Sequence, residues 1–287
     1  MKFTLIFSCL FVVFFSNAQY KGRKHRISSD AGTIHLSYGL NRTGYTRSRA
    51  HFEGIGYDFD LNNVYGKDSP NQYYGNQFNL KFGYYYLDNI SITFSFDHLE
   101  YQIRDKGFTK LTGQTTFTSD NYIYFNQDQS YYHGVWNLVP IFPDPDYFDY
   151  SYTGGINLMH VDITRTNELF RKGRARQFIV NSYYGAGFGL IQSSLNFVYN
   201  QERFLNVNSL SGYGLLGTAG MRVEFFRKMY FYINSNIGIL HQVRVKAKRS
   251  DSNALVRQLM AYAQIDAGIG LLFFKRSKNG CQDCPRW

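Results

Sequence analysis

After its first fifteen residues the chain has no long apolar run. A spanning helix needs about 20 consecutive apolar residues, so none is expected in the remainder. Cysteine is almost missing: Cys9 lies near the start, and Cys281 and Cys284 close the sequence as a single Cys-x-x-Cys pair. One such pair supplies at most half of a structural zinc site, and no thioredoxin-like pattern surrounds it. A disulfide within this tail is compatible with an oxidising compartment. Tryptophan occurs only 2 times, against 25 Tyr and 26 Phe, so the aromatic content is carried by smaller rings that suit interfacial girdles. The alternating segments also have few Lys and Glu on their polar faces, which argues against a water-washed sheet surface.

The first residues read as an export leader. Lys2 supplies the positive start, Phe3 to Phe15 is apolar apart from Thr4, Ser8 and Cys9, and Ser16-Asn17-Ala18 offers the small residues of a cleavage site. The expectation is a signal peptide over 1–18, leaving Gln19 as the new N-terminus. The run is too short for a retained spanning helix, and Cys9 lacks the small-residue box of a lipoprotein.

What fills the rest is alternation. Ile90 to Phe96 reads I-S-I-T-F-S-F, an apolar side chain followed each time by a small hydroxyl, and successive strand residues point to opposite faces. Phe78, Leu80, Phe82, Tyr84 and Tyr86 share one face, as do Met229, Phe231, Ile233, Ile237 and Ile239, and the alternate residues from Leu259 to Phe273. The opposite faces hold Gln77, Asn79 and Lys81, then Ser91, Thr93, Ser95 and Asp97, then Asn234, Asn236, Gln264 and Asp266. Apolar residues facing lipid and polar residues facing inward make the inverted pattern of a membrane barrel. A secreted β-sandwich is the competing all-β fold and would also alternate. With no helix able to span, a closed barrel is the membrane structure left, because every amide must be paired inside lipid.

Eight strands are expected: Thr33–Thr43, Asn76–Leu87, Ile90–Ile103, Ser151–Thr166, Gln177–Ser193, Ser209–Phe226, Met229–Lys246 and Leu255–Phe274. Asp88-Asn89, Arg227-Lys228 and Asn167–Arg176 read as short turns. Gly44–Gly75, Arg104–Tyr150, Gln192–Asn208 and Ala247–Ala254 read as longer loops. The fold class is thus an all-β, eight-stranded antiparallel outer-membrane barrel with short periplasmic turns, long extracellular loops and both termini in the periplasm. A periplasmic stub over 19–32, a barrel over 33–275 and a periplasmic tail over 276–287 complete the organisation. Thr115-Thr-Phe-Thr and Tyr122-Ile-Tyr-Phe read as a hairpin above the membrane, followed by Pro140, Pro143 and Pro145; embedding that hairpin would make ten strands.

An eight-stranded barrel has room only for side chains, so Lys81, Asp97, Arg222, Glu224 and Asp266 are expected as partnered interior charges and a wide channel is not expected. After Phe96 the apolar set moves to Leu99 and Tyr101, and Ile156 and Leu158 give way to Val161 and Ile163. Such slips are the mark of a β-bulge.

The formal charge of +10 is spread over a periplasmic stub (Lys21, Arg23, Lys24 and Arg26), a periplasmic turn (Arg171, Lys172, Arg174 and Arg176) and the expected outer rim. Arg42, Arg47, Arg49, Arg244, Lys246 and Arg249, with His51, Glu53 and Asp58 beside them, form a candidate ligand-binding set. Arg forks pair well with the phosphates of lipopolysaccharide, whereas nucleic acid is a poor partner for an exported barrel. Solubility and lipid anchoring explain the same charges without a ligand.

His51-Phe-Glu-Gly-Ile-Gly-Tyr-Asp58, Phe82-Gly-Tyr-Tyr-Tyr86, Asp97-His98-Leu-Glu-Tyr101, Gly155-Ile-Asn-Leu158 and Gly185-Ala-Gly-Phe-Gly189 together resemble the successive signatures of a Bacteroidota outer-membrane barrel family, itself distantly similar to the lipid A oxidase type of barrel. The resemblance spans about Thr33 to Phe274. It implies an eight-stranded barrel and, for the oxidase group, oxidation of the proximal glucosamine of lipid A at the outer surface.

From the residues themselves, His98, Glu100, His160 and Asp162 are the candidate catalytic set. Mixed imidazole and carboxylate ligands suit a divalent metal that activates oxygen or water, and the same pairs serve general acid–base chemistry. The leading expectation is a small non-porin barrel that contacts lipopolysaccharide through a basic rim. The alternatives are a lipid A-modifying enzyme and an accessory subunit of a larger outer-membrane complex. Partners expected on any reading are the outer membrane and its assembly machinery.

Overall fold

The computed structural model describes residues 29, 31–68, 77–103, 109–115, 123–124, 131–132, 134–140, 148–172, 178–199, 202–226 and 228–274. The expected leader, most of the stub, the Cys-x-x-Cys tail and the Pro143 and Pro145 positions lie outside them. The described elements are strands: β1 (Thr33–Tyr45), β2 (Ser48–Gly54), β3 (Tyr57–Val64), β4 (Gly66–Lys67), β5 (Phe78–Leu87), β6 (Ile90–Ile103), β7 (Lys110–Thr115), β8 (Ile123–Tyr124), β9 (Tyr131–Tyr132), β10 (Gly134–Pro140), β11 (Phe148–Lys172), β12 (Phe178–Tyr199), β13 (Glu202–Phe225), β14 (Met229–Lys246) and β15 (Leu255–Phe274).

Eight of these strands close into a ring, with every neighbour antiparallel: β1, β5, β6, β11, β12, β13, β14 and β15. The first strand of the ring pairs with the last from Thr33↔Phe274 to Tyr45↔Tyr262, so the wall has no free edge at this level. Tight turns gather at one end, where Asn89 takes the left-handed conformation (φ 65°) that Asn tolerates in the turn between β5 and β6.

Outside the ring the apolar face is exposed. Leu80, Phe82 and Ile92 are 44%, 52% and 43% accessible, and Ile233, Ile265 and Ile269 are 56%, 60% and 52% accessible, as the alternation predicts. A continuous greasy band around a closed strand wall is compatible with lipid and not with water. Phe78 is the partial exception, half-covered by stacking on Tyr38 and on the His98 ring. At the turn end Phe170, Phe178, Phe225 and Phe231 touch in sequence across β11 to β14, with ring centroids 6.3, 5.6 and 5.8 Å apart, forming one arc of an aromatic girdle.

The interior changes character along the axis. Near the turn end it is polar: Asp266 accepts from Asn79 at 2.8 Å, Asn234 at 3.0 Å and Lys81 at 2.5 Å, and Arg222 lies 2.8 Å from Glu224. Each expected interior charge has a partner, as burial requires. Further along, the inward positions of β6 run from Ser91, Thr93, Ser95 and Asp97 to Leu99, Tyr101 and Ile103 without changing parity. Those of β11 run from Thr166, Thr164, Asp162 and His160 to Leu158 and Ile156 in the same way. The expected bulges at these two points are therefore absent. The apolar residues do not slip to the outer face; they stay inward because the strands have left the lipid band and the interior has turned apolar. Real register shifts lie elsewhere, between Ser151 and Ile156 on β11 and between Gln242 and Val245 on β14.

Beyond the band the strands continue as a stalk with its own core. The segment expected to be the first long loop is strand: β2 pairs with the far end of β15, β3 with β2, β7 with β3 and β10 with β7, while β4 bridges β1 and β6. The expected loop over Gln192–Asn208 is also strand, since β12 runs to Tyr199 and β13 starts at Glu202. The reason is the same reversal of polarity, which hid an amphipathic strand whose apolar side faces in. Inside the stalk Phe52, Phe59, Phe148, Phe197 and Tyr150 are buried at or below 1% accessibility, and Phe52 lies 5.1 to 5.8 Å from each of the other four rings. The hairpin expected near Thr115 pairs differently, Ile123–Tyr124 with Tyr131–Tyr132 and Lys110–Thr115 with β10, and neither pair enters the ring, which keeps eight strands.

Candidate functional site

The candidate catalytic residues divide between the two sides of the wall. His160 points into the lumen from β11, with Nδ1 2.9 Å from Asp162 Oδ1 and Nε2 3.2 Å from Asp97 Oδ2 on β6. The Ser95 hydroxyl donates to the other Asp162 oxygen at 3.0 Å. The space for this cluster comes from the Gly-x-Gly-x-Gly run of β12. A Cβ on Gly187 would stand 1.9 Å from Asp162 Oδ1, and one on Gly189 would stand 2.5 Å from His160 Cβ.

His98 belongs to the opposite face of β6. Its Nδ1 lies 2.7 Å from Asn157 Oδ1, and its ring stacks on Phe78 at 5.4 Å. Glu100 has the same strand parity as His98 and is fully buried. His98 and His160 therefore do not converge. Among the described residues no three His, Cys, Asp or Glu side chains are arranged to hold a metal ion.

The lumen around His160 is tightly packed among the described residues. Towards the stalk it meets Leu158, Leu216, Leu240, Met260 and Tyr262, all nearly inaccessible. Towards the turn end a cavity of about 50 Å³ lies among His35, Lys81, Tyr85, Asp162, Arg222 and Tyr230. That volume suits a few waters, each needing roughly 10–15 Å³. A lipid headgroup does not fit there.

His51, Glu53 and Asp58 do meet, on the outer face of the β2–β3 hairpin. His51 Nε2 is 3.5 Å from Glu53 and 3.8 Å from Asp58, and its Nδ1 is 3.1 Å from Asp60. Asp60, missing from the candidate set, also holds Arg49 at 2.5 Å. A hairpin turning at Ile55-Gly56 puts residue 53 opposite 58 and 51 opposite 60, so the spacing could have found it. Burial alone would push the Asp60 carboxyl up, but Arg49 and His51 outweigh it and hold it below the ordinary carboxylate value.

The remaining cations differ in how far they are engaged. Arg42 is 3.5 Å from Asp68, Arg47 donates to Asn63 at 3.3 Å, and Arg249 donates to the backbone oxygens of Leu205 and Asn206. Arg257, on β15, is 2.7 Å from Glu53. Arg244 and Lys246 are exposed on β14, and among the described residues neither has a carboxylate within ion-pair distance.

No protein-family model matches the chain, and no curated protein sequence does. It is similar in structure to small outer-membrane proteins. One is OprG from Pseudomonas aeruginosa, with a TM-score of 0.41 and 10% identity over 87% of this chain and 100% of that one. AlkL, solved by solid-state NMR in DMPC bilayers, gives 0.39 and 10% over 91% and 98%. Ail of Yersinia pestis, in complex with the heparin analogue sucrose octasulfate, gives 0.34 and 12% over 85% and 99%. With TM-scores this low, the architecture rests on the strand register and the exposed apolar band of the chain itself.

Proposed function

We propose that the protein is an integral outer-membrane β-barrel of the non-porin kind, with its stalk on the outer side, both termini in the periplasm, and a basic rim that contacts lipopolysaccharide. The observation that carries this reading is the filled interior. A ring wrapped by exposed aliphatic and aromatic residues, packed inside by paired charges and then by an aromatic core, has a surface made for lipid and no wide aqueous path among the described residues. The leader expected over 1–18 fits the location, and delivery by the outer-membrane assembly machinery follows from it.

The test is fractionation of producing cells, with protease added to intact cells. The chain should enter the outer-membrane fraction, migrate as a heat-modifiable species, and be cut first in the stalk. Recovery as a detergent-free soluble monomer would end the proposal. Oxidation of lipid A has less support, because its His and carboxylate set is split across the wall and the inward half is walled off from lipid. Unchanged lipid A mass spectra in cells with and without the protein are the expected result.

A further inference from the structure

We infer that the outer face of β14 and β15, just beyond the lipid band, is a seat for one phosphorylated lipid of the surrounding leaflet, with Arg244 and Lys246 taking the phosphate. This rests on the outer-membrane reading above and deepens it by locating the contact on one side of the barrel.

The seat is made by a bulge. Along β14 the even residues from Tyr230 to Gln242 face inward and the odd ones face lipid. The register then shifts between Gln242 and Val245, and beyond it Val245 and Ala247 are buried while Arg244 and Lys246 are exposed. Without the extra residue the basic side chains and Val245 would exchange faces, which would bury charge in the stalk core. The bulge thus turns two cations outward at the edge of the band.

Their surroundings have the two halves of a lipid. Arg257 on β15 lies alongside with 51% of its side chain accessible, but Glu53 occupies it. Among the described residues Arg244 and Lys246 have no such partner, which leaves their charge available to an anion, and Arg forks match phosphate oxygens two at a time. Immediately below stand Val243, 42% accessible, and Leu259, 55% accessible. On the flanking strand Leu210 is 66% accessible, and Lys246 N–H donates to Ser209 Oγ at 3.2 Å, keeping β13 alongside at this height. These residues continue into the lipid-facing Leu215 and Ile239, which are direct cross-strand neighbours. Cations at the margin and a greasy lane leading down from them fit a headgroup phosphate with its acyl chain below. The rest of the candidate rim is engaged: Arg42 with Asp68, Arg49 with Asp60, and Arg249 with backbone oxygens.

The experiment uses the folded full-length mature chain in detergent, with lipid retention read by native mass spectrometry. The probes are bis-phosphorylated lipid A, the same lipid with its phosphates removed, and inorganic phosphate. Wild type should retain one phosphorylated lipid. Arg244→Gln with Lys246→Gln should weaken retention by about tenfold or more, as the loss of two charge-assisted contacts implies. Arg171→Gln, at the turn end of β11 where Arg171 pairs with Glu168, should leave retention unchanged. Equal retention by the double variant, or of the dephosphorylated lipid, would overturn the seat, and so would binding of inorganic phosphate as tight as that of the lipid. Heat-modifiable migration of each variant reports an intact barrel, so failure of the seat is separable from failure of the outer-membrane reading, in which the wild type itself would need no detergent.

Discussion

Single residues hold this barrel together by pairing rather than by apolar contact in its polar half. Asp266 is inaccessible and the Lys81 side chain keeps 13% of its surface accessible, and Asn79 and Asn234 donate to the same carboxylate. Replacing Asp266 by Asn leaves a buried ammonium without its counter-charge, which costs about 3–5 kcal/mol. Lys81→Met together with Asp266→Leu should recover most of that loss, measured as the urea midpoint of unfolding from lipid vesicles. Gly187→Ala should displace Asp162 and lower the same midpoint, because the added methyl meets a carboxylate oxygen. Asp60 carries a pH prediction. Its carboxyl is more acidic in the fold than in the unfolded chain, so its contribution to the β2–β3 hairpin is complete above the ordinary carboxylate value of about 3.9 and is lost as pH falls through the lower folded value. Deuterium uptake at β2 and β3 should therefore rise on going from pH 6 to strongly acidic solution. Asp60→Asn should show high uptake at both. A wild-type hairpin equally protected at both would contradict the assignment.

At the scale of elements, the lower strands were legible in the sequence and the upper ones were not, and one physical fact accounts for both. Alternation says which residues share a face, but the environment decides which face is inside. Within the band, Phe82 and Ile233 face out and Lys81 and Asn234 face in, and the reading by apolar-outward logic is correct. Past Asp97 and His160 the same logic fails, because Leu99 and Leu158 are apolar and inward. What looked like slipped phase marks the boundary between membrane ring and stalk. The candidate site was legible in part for a related reason. His160 and Asp162 share a face, as spacing indicates, but the spacing of His98 says nothing of which side of the wall β6 gives it. Because Phe52 packs against four other rings of the stalk, Phe52→Ala should loosen the stalk by about 3–5 kcal/mol and leave the ring in place. Limited proteolysis should then cut between 48 and 64 while heat-modifiable migration persists. Loss of both together would mean that the two storeys fold as one unit.

The whole molecule is a filled cylinder. Paired charges occupy one half of the lumen and aromatic rings the other, so purified protein in a planar bilayer should give no steady conductance; regular ohmic steps from wild type would refute the packing described. Closure also ties assembly to the order of the chain. The seam joins Thr33–Tyr45 to the final strand, so the first hydrogen-bonding edge to emerge during synthesis waits for the last 20-residue strand to arrive. Contacts between segments so remote in sequence are slow to form. A polypeptide halted before Leu255 would present two raw edges instead of a sealed wall, and its fate would be capture by a chaperone or degradation in transit.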